Sequence, residues 1–234
     1  MLLVFALSML PAAAHAVDCV TSTYGMLSID GDPACGTLKE VYRKRDDPRP
    51  NVEIWARYVA FDPAVSAGER RFNDWMRESV APLELDGPLK HFGDYTILDT
   101  LTVTSLYRSK SLLSALVEHD FGCGAHCNAA LMSLNVDPAT GRNIALGELV
   151  DRKAVGEHCW RQFYASEKGG AAFAERYTIR NFGQAEDSYE WSADASGIVL
   201  HFGELFGHAF GWFECRILTG ELPKFTKPGV KVPL

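Results

Sequence analysis

Residues 95–142 read YTILDTLTVTSLYRSKSLLSALVEHDFGCGAHCNAALMSLNVDPATGR. The stretch contains three runs rich in Thr, Val, Leu and Ile, at residues 95–107, 111–118 and 129–136. Such runs, bounded by turn residues, are typical of β-strands. The last one is followed by Asp137-Pro138-Ala139-Thr140-Gly141, which has the chemistry of a turn because Pro presets φ and Gly permits a left-handed exit. We therefore expect a block of consecutive strands here.

Helical patterns flank this block on both sides. Ala67 to Val80 has apolar residues at helical spacing, and Pro82 ends the pattern. Asp151 to Lys168 predicts a second helix that Asp151 caps and Gly169 stops. Ala171 to Tyr177 is a further helical candidate. The remaining strands are predicted at Val52–Ala60, Tyr189–Ser192, Gly197–Phe202 and Gly211–Leu218, with the second and third forming a hairpin.

The order strand, helix, strands, helix, strands indicates an α+β fold. We expect an antiparallel sheet with helices packed on one face and disulfides joining the layers. Three parts are predicted: a signal peptide at residues 1–16, an N-terminal cysteine-containing segment with a linker at 17–50, and an α+β extracytoplasmic domain at 51–234. The mixed-charge run Arg43 to Pro50 is interpreted as a linker or a solvated turn.

The first sixteen residues have the pattern of a secretory signal peptide. Met1 to Leu10 is almost wholly apolar, and Ala14-His15-Ala16 is a small-x-small cleavage site. The apolar run is shorter than the roughly 20 residues that span a bilayer, and no later stretch approaches that length. We expect cleavage after Ala16, a mature chain without a transmembrane segment, and a location in the periplasm or outside the cell.

The cysteines support the same compartment. There are six of them, an even number, and all follow the expected cleavage site. In an oxidising compartment this predicts up to three disulfides, although spacing alone does not fix the connectivity. The pairing we expect is Cys19–Cys35, Cys123–Cys127 and Cys159–Cys215. Free buried thiols are the alternative.

The charge balance restricts the class of partner. Thirty acidic residues against twenty-three basic ones give a net charge of −7. Nucleic acid is disfavoured because its binding depends on basic contacts to phosphate. A basic protein partner is compatible with this balance.

Several short motifs resemble a known family when they are taken together. Phe121 to His126 is similar to a Gly-Gly-Ala-His signature, and Asp137 to Arg142 matches the Asp-x-x-Thr-Gly-Arg turn that follows it. Leu146-Gly147-Glu148-Leu149 and the segment from Tyr189 to Gly211 complete the order. The pattern resembles the extracytoplasmic domain that is shared by the lysozyme-sensing anti-sigma factor RsiV and by the non-catalytic region of some peptidoglycan deacetylases.

The resemblance spans roughly residues 52–225 and implies an α/β sandwich outside the membrane, linked to the cell wall or to lysozyme. The chain departs from the family in lacking a transmembrane helix and in having extra cysteines around the Ala-His motif, where Cys127 replaces a usual Gly. Lysozyme recognition is therefore not inherited by default, since a fold does not fix a function.

Five residues are candidates for binding: Gly124, Ala125, His126, His201 and His208. His126 lies in a glycine-rich turn, where it would either bond to the backbone or contact a ligand or partner. His201, Glu204 and His208 have helical spacing for a metal site, but Gly203 and Gly207 interrupt the segment, and we expect no metal. His201 is predicted to be the outward residue of a strand whose Leu200 and Phe202 point inward.

No sequence motif indicates an enzyme. The chain lacks a Gly-x-Ser-x-Gly motif, a complete Ser-x-x-Lys set and a P-loop, and no cofactor is expected. The predicted function is that of an exported interaction module with a protein or cell-wall partner, lysozyme among the candidates. The alternative is a hydrolase acting on cell-wall glycan or peptide, because catalytic triads are recognised by geometry and not by sequence order.

Overall fold

The computed structural model describes residues 16–23, 26–49, 51–83, 85, 97–121, 128–166, 189–202 and 213–234. Within these ranges the chain forms ten strands and three α-helices, together with short 3₁₀ turns. In chain order these are β1 Val17–Thr23, β2 Met26–Ile29, β3 Leu38–Arg45, β4 Val52–Phe61, α1 Ala67–Val80, β5 Ile97–Arg108, β6 Leu113–Phe121, β7 Asn128–Val136, α2 Leu146–Leu149, α3 Arg152–Ala165, β8 Glu190–Asp194, β9 Gly197–Phe202 and β10 Phe213–Leu218.

The larger sheet has seven strands and branches at β5. Along one edge of β5, the first half pairs in parallel with β4 and the second half pairs antiparallel with β1. The other edge pairs antiparallel with β6 along its length, and β7 follows β6. β3 extends the sheet beyond β4, and β2 extends it beyond β1. β5 is therefore the central strand that connects the N-terminal strands to the rest of the domain.

Helix α1 covers one face of this sheet. Phe72 and Met76 are fully buried and belong to the same core as Ile54, Leu101 and Val117 of the sheet. The helix begins with a capping box, in which the Ser66 side chain and the Glu69 carboxylate satisfy each other's backbone amides. We call the opposite face of the large sheet the front face.

The second sheet has three antiparallel strands in the order β10–β9–β8, and α3 packs against it. Phe163 of α3 meets Phe213 of β10 with their ring centroids 5.1 Å apart. The Cys159–Cys215 disulfide joins the same helix to the same strand. A second apolar core thus lies between α3 and one face of the small sheet.

A buried polar joint connects the two sheets. The Ser114 hydroxyl donates to the Asn135 side-chain oxygen (2.7 Å) and accepts from the Ala193 amide (2.8 Å). The Asn135 amide donates to the Trp191 carbonyl (2.7 Å). Because these buried groups satisfy one another, they hold β8 against the front face.

The predicted α+β class is confirmed, and so are two of the three expected disulfides. The expectation of a single antiparallel sheet misses the parallel β4–β5 pair and the division into two sheets. The interpretation of the charged run as a linker is wrong for Arg43 to Arg45, which form the end of β3 and pair with β4. The helical candidate at 171–177 lies outside the described residues, as do residues 1–15 of the expected signal peptide.

Candidate functional site

Of the five predicted binding residues, only His201 lies in the described part of the chain. Gly124, Ala125, His126 and His208 fall outside it, together with Cys123 and Cys127 and their expected disulfide. The roles of these residues stay predictions, and the site has to be built from the residues that surround His201.

His201 lies on the polar face of the small sheet. Alternation along each strand sends one set of side chains to the α3 core and the other set to this polar face. The cross-strand register aligns Glu190 of β8, His201 of β9 and Glu214 of β10 in one row, and Ser192 lies diagonally beside His201. Leu200 and Phe202 point into the core, as the sequence predicted.

The His201 imidazole is buried, contrary to the prediction of an outward residue. Only 4% of His201 is exposed. The reason is that side chains of both flanking strands, Ser192 of β8 and Glu214 of β10, pack against the imidazole. Nε2 lies 2.8 Å from the Ser192 hydroxyl, and Nδ1 lies 3.3 Å from the Glu214 carboxylate. The hydrogen bond with His201 lowers the pKa of Glu214.

Ser192, His201 and Glu214 contact one another in the order found in a hydrolytic triad. The solvent exposure of the two end residues, however, is the reverse of that in a triad. In such a triad the nucleophile faces the substrate and the carboxylate is buried. Here Ser192 is 4% exposed, whereas the Glu214 side chain is 56% exposed. The arrangement therefore suits a buried polar network that stabilises the sheet better than it suits acyl transfer.

Glu190 connects this network to the front face of the large sheet. One of its carboxylate oxygens accepts from the Ser133 amide (2.9 Å) and from the Ser133 hydroxyl. Ser133 belongs to β7, so the carboxylate satisfies an amide on the edge of that strand. The polar face of the small sheet and the front face consequently meet at this hydrogen bond.

The front face presents two rows of side chains that cross five strands. The pairing register, read from β3 through β4, β5 and β6 to β7, places the members of each row side by side. One row is Tyr42, Arg57, Thr102, Glu118 and Leu131, and the other is Lys44, Trp55, Thr100, Asp120 and Ala129.

Glu118 and Asp120 are the electrostatically unusual residues of these rows. Burial raises the pKa of both carboxyls, and the charge of Asp120 raises that of Glu118 further. The opposing influences on Asp120 are weaker: the neighbouring His119 and a hydrogen bond with Thr100. Two partly desolvated acids thus share one face, and neither has a Lys or Arg ion pair among the residues that the structure describes.

His119 projects from the opposite face of the same strand. Its Nε2 lies 2.6 Å from the Asp99 carboxylate, and its ring contacts Phe121. Among the residues that the structure describes, no group of three or more His, Cys, Asp or Glu side chains could hold a metal ion. In the same part of the chain, no helix is long and apolar enough to cross a membrane.

The sequence did not reveal the acidic pair on the front face. Glu118 ends the predicted strand at residues 111–118, and Asp120 lies beyond that prediction because β6 continues to Phe121. The alternation of Glu118, His119 and Asp120 was a usable signal. The register with Thr100 and Thr102 was not, because an irregularity between Val103 and Ser105 shifts the pairing of β5 with β6.

Comparison with known proteins supports the fold. Neither a protein-family profile nor a curated protein matches the sequence. A DUF3298 family protein from Pseudomonas aeruginosa has a crystal structure that aligns with a TM-score of 0.54 and 11% sequence identity. The alignment covers 82% of this chain and 94% of that protein.

The described chain is thus an α+β, disulfide-bonded domain with a fold like that of a DUF3298 protein. At 11% sequence identity this likeness shows the fold alone.

Proposed function

We propose that this chain is an exported domain that binds a basic partner outside the cytoplasm through its front face. Export is supported by the signal-peptide pattern at residues 1–16 and by the two disulfides. Disulfides persist in oxidising compartments such as the periplasm and are rare in the cytosol. The four cysteines in the described ranges are all paired.

The observation that carries the proposal is the pair of desolvated acids, Glu118 and Asp120. A carboxylate that is partly removed from water without a cation beside it costs stability. A Lys or Arg side chain from a partner would offset that cost at the moment of binding. The acidic net charge of the whole chain would also steer a basic protein towards it.

The finer form of the proposal is that the partner is a basic cell-wall enzyme of the lysozyme class. Its support is the resemblance of the motifs to the RsiV-type domain and the similarity to a DUF3298 fold. A cell-envelope location fits both. The alternative of a wall hydrolase receives no support from the Ser192–His201–Glu214 geometry, where the hydroxyl is the buried end.

A binding titration with purified chain starting at Val17 and with lysozyme tests this proposal. We expect a Kd in the micromolar range or below at low salt, rising steeply with ionic strength. The double variant Glu118→Gln/Asp120→Asn should bind at least tenfold more weakly. The matched control is Asp74→Asn/Glu78→Gln on α1, which removes two exposed charges from the opposite side of the sheet.

The stability of the front-face variant shows whether a loss of affinity is caused by loss of folding. Because the pKa values of Glu118 and Asp120 are raised in the folded chain, ionising them above their unfolded pKa costs folding free energy. Glu118→Gln/Asp120→Asn should therefore be at least as stable as wild type at pH 7 while it loses affinity.

Absence of lysozyme binding at micromolar concentration rejects the proposal that the partner is of the lysozyme class. Equal loss of affinity in the control rejects the front face as the binding surface.

A further inference from the structure

A concave site of about 440 Å³ lies away from the front-face rows, at the start of α3. The first residues of the helix form one wall, and the C-terminal segment from Lys224 to Pro228 forms the other. We call it the α3 pocket. Its volume falls within the usual range for small-ligand sites, about 300–1,000 Å³.

The backbone of the α3 pocket is held by hydrogen bonds between its two walls. The Asp151 amide donates to the Phe225 carbonyl (2.7 Å), and the Lys227 amide donates to the Leu149 carbonyl (3.1 Å). Phe225 is buried, and its ring contacts His158 of α3 at a centroid distance of 4.9 Å. The two walls are therefore fixed relative to each other before any ligand arrives, which lowers the entropic cost of binding.

The lining of this pocket is strongly basic in a chain that is acidic overall. It contains four basic side chains, Arg152 and Lys153 from α3 and Lys224 and Lys227 from the C-terminal segment, against the single carboxylate of Asp151. Arg152 already has an interaction partner of its own, so the three lysines supply the charge that a ligand would meet. Asp151 is already engaged, since it accepts from the amides of Lys153 (2.9 Å) and Ala154 (3.2 Å).

The positive charge is only partly neutralised by neighbouring groups. Lys227 donates to the neutral carbonyl of Gly147, and no carboxylate among the described residues forms an ion pair with it. Lys224 lies 3.6 Å from the Glu221 carboxylate at a solvent-exposed position, where ion pairs are weak. Because Asp151 already caps the helix, the attraction for an anion would come from the side chains of both walls and not from the helix terminus.

We propose that the α3 pocket binds a phosphate group carried by a small ligand or by the head group of an anionic lipid. Phosphate is the anion that several convergent Lys and Arg side chains recognise best, through charge and multiple donors. The inference is independent of the proposed front-face partner, because it rests on different residues and on the opposite charge.

Three probes test the pocket at constant ionic strength: inorganic phosphate, a hexose 6-phosphate, and vesicles that contain phosphatidylglycerol. Chloride and the unphosphorylated hexose serve as ligand controls. We expect saturable binding of at least one phosphate-bearing probe. Binding of the soluble phosphates identifies a small ligand as the source, and binding of the vesicles alone identifies a lipid surface.

Substitutions locate the binding. Lys153→Gln/Lys224→Gln should weaken binding of the phosphate-bearing probe at least tenfold with an unchanged melting temperature, because both side chains are exposed. The control Lys39→Gln/Lys44→Gln removes the same charge from β3 and should have no effect. Lys227→Gln is a less suitable variant, since its side chain also bonds to Gly147. Lack of saturation with all three probes overturns the proposal, and so does equal weakening by the control variant.

Discussion

Glu69 connects three parts of the chain through one buried carboxylate. It accepts from the amides of Val65 (2.6 Å) and Ser66 (3.0 Å), and its other oxygen lies 2.6 Å from the Arg108 guanidinium. Burial on its own would raise the pKa of this carboxyl, yet the hydrogen bonds and the Arg108 charge hold it below the usual value. Glu69 thus contributes stability only while it is ionised.

Replacing Glu69 with Gln should lower the free energy of unfolding by about 3 kcal/mol at pH 7, because Arg108 loses its charged partner. A lowered folded-state pKa contributes stability above the unfolded value of about 4.3, and that contribution is lost as pH falls through the folded value. The difference in the free energy of unfolding between wild type and variant should therefore be smaller at about pH 3. Urea titrations at both values of pH measure it, and a gap that stays constant would contradict the role of the charge.

His201 provides the residue-scale test of the buried network. His201→Ala removes the partner of the Ser192 hydroxyl and should lower the free energy of unfolding by about 1–3 kcal/mol, while the folded variant keeps its partner affinity. Glu214→Gln is the control, because its side chain is 56% exposed and should cost less than about 1 kcal/mol. A fully stable His201→Ala protein that no longer binds would instead make His201 a recognition residue.

The role of a single residue could be predicted where its contacts are local in the sequence. Asp151 was expected to cap α3, and its carboxylate does accept from the first-turn amides. The burial of His201 depends on side chains of β8 and β10 that pack against it, which no local pattern reveals. The partners of Glu69 were hidden for the same reason, since Arg108 is distant in the sequence.

Among the elements, α1 is fixed at its start by the turn that ends β7. The Gly68 amide donates to the Pro138 carbonyl (2.9 Å), and a side chain at Gly68 would lie 2.7 Å from the Pro138 Cα. The Asp137–Gly141 turn, which the sequence identified by its chemistry, thus serves as the docking point of the helix. A small residue is required where the two backbones approach.

Gly68→Ala should accordingly destabilise the protein, although Gly to Ala inside a helix ordinarily stabilises it by about 1 kcal/mol. The clash with Pro138 is with backbone, so the helix has to shift at a cost of about 1–3 kcal/mol. Thermal unfolding measures the change. Gly220→Ala is the control because a side chain there meets no atom within 4 Å, and a stabilised Gly68→Ala variant would show that the turn yields freely.

Helices and strands with a clear hydrophobic periodicity were predicted well. The way in which these elements pair and pack was not predicted. The bounds of α1 match the prediction, because its apolar spacing and the proline that ends it are local signals. The β8–β9 hairpin was also found, from its turn residues and apolar flanks. The parallel pairing of β4 with β5 was missed because it joins strands separated by a helix, and pattern alone does not give strand order.

At the scale of the whole molecule, the described chain has two sheets with separate cores, and buried hydrogen bonds such as those of Ser114 and Asn135 join them. The front face could not be predicted because its two rows combine residues from five strands. Two of the three expected disulfide pairs are present, although spacing alone left the connectivity open, and Cys123–Cys127 lies outside the described residues. The two disulfides should contribute differently to the free energy of unfolding, because they close loops of different length.

The Cys159–Cys215 bond closes a loop with a sequence separation of 56, whereas Cys19–Cys35 has a separation of 16. Loop-closure entropy in the unfolded chain then gives contributions of about 4 and about 3 kcal/mol. All four cysteines are fully buried, so the double alanine variants make comparable cavities. The Cys159→Ala/Cys215→Ala variant should lose about 1 kcal/mol more in urea unfolding than Cys19→Ala/Cys35→Ala. A reversed order would contradict the account by loop length, and residual structure that keeps α3 and β10 together in the unfolded chain would explain it.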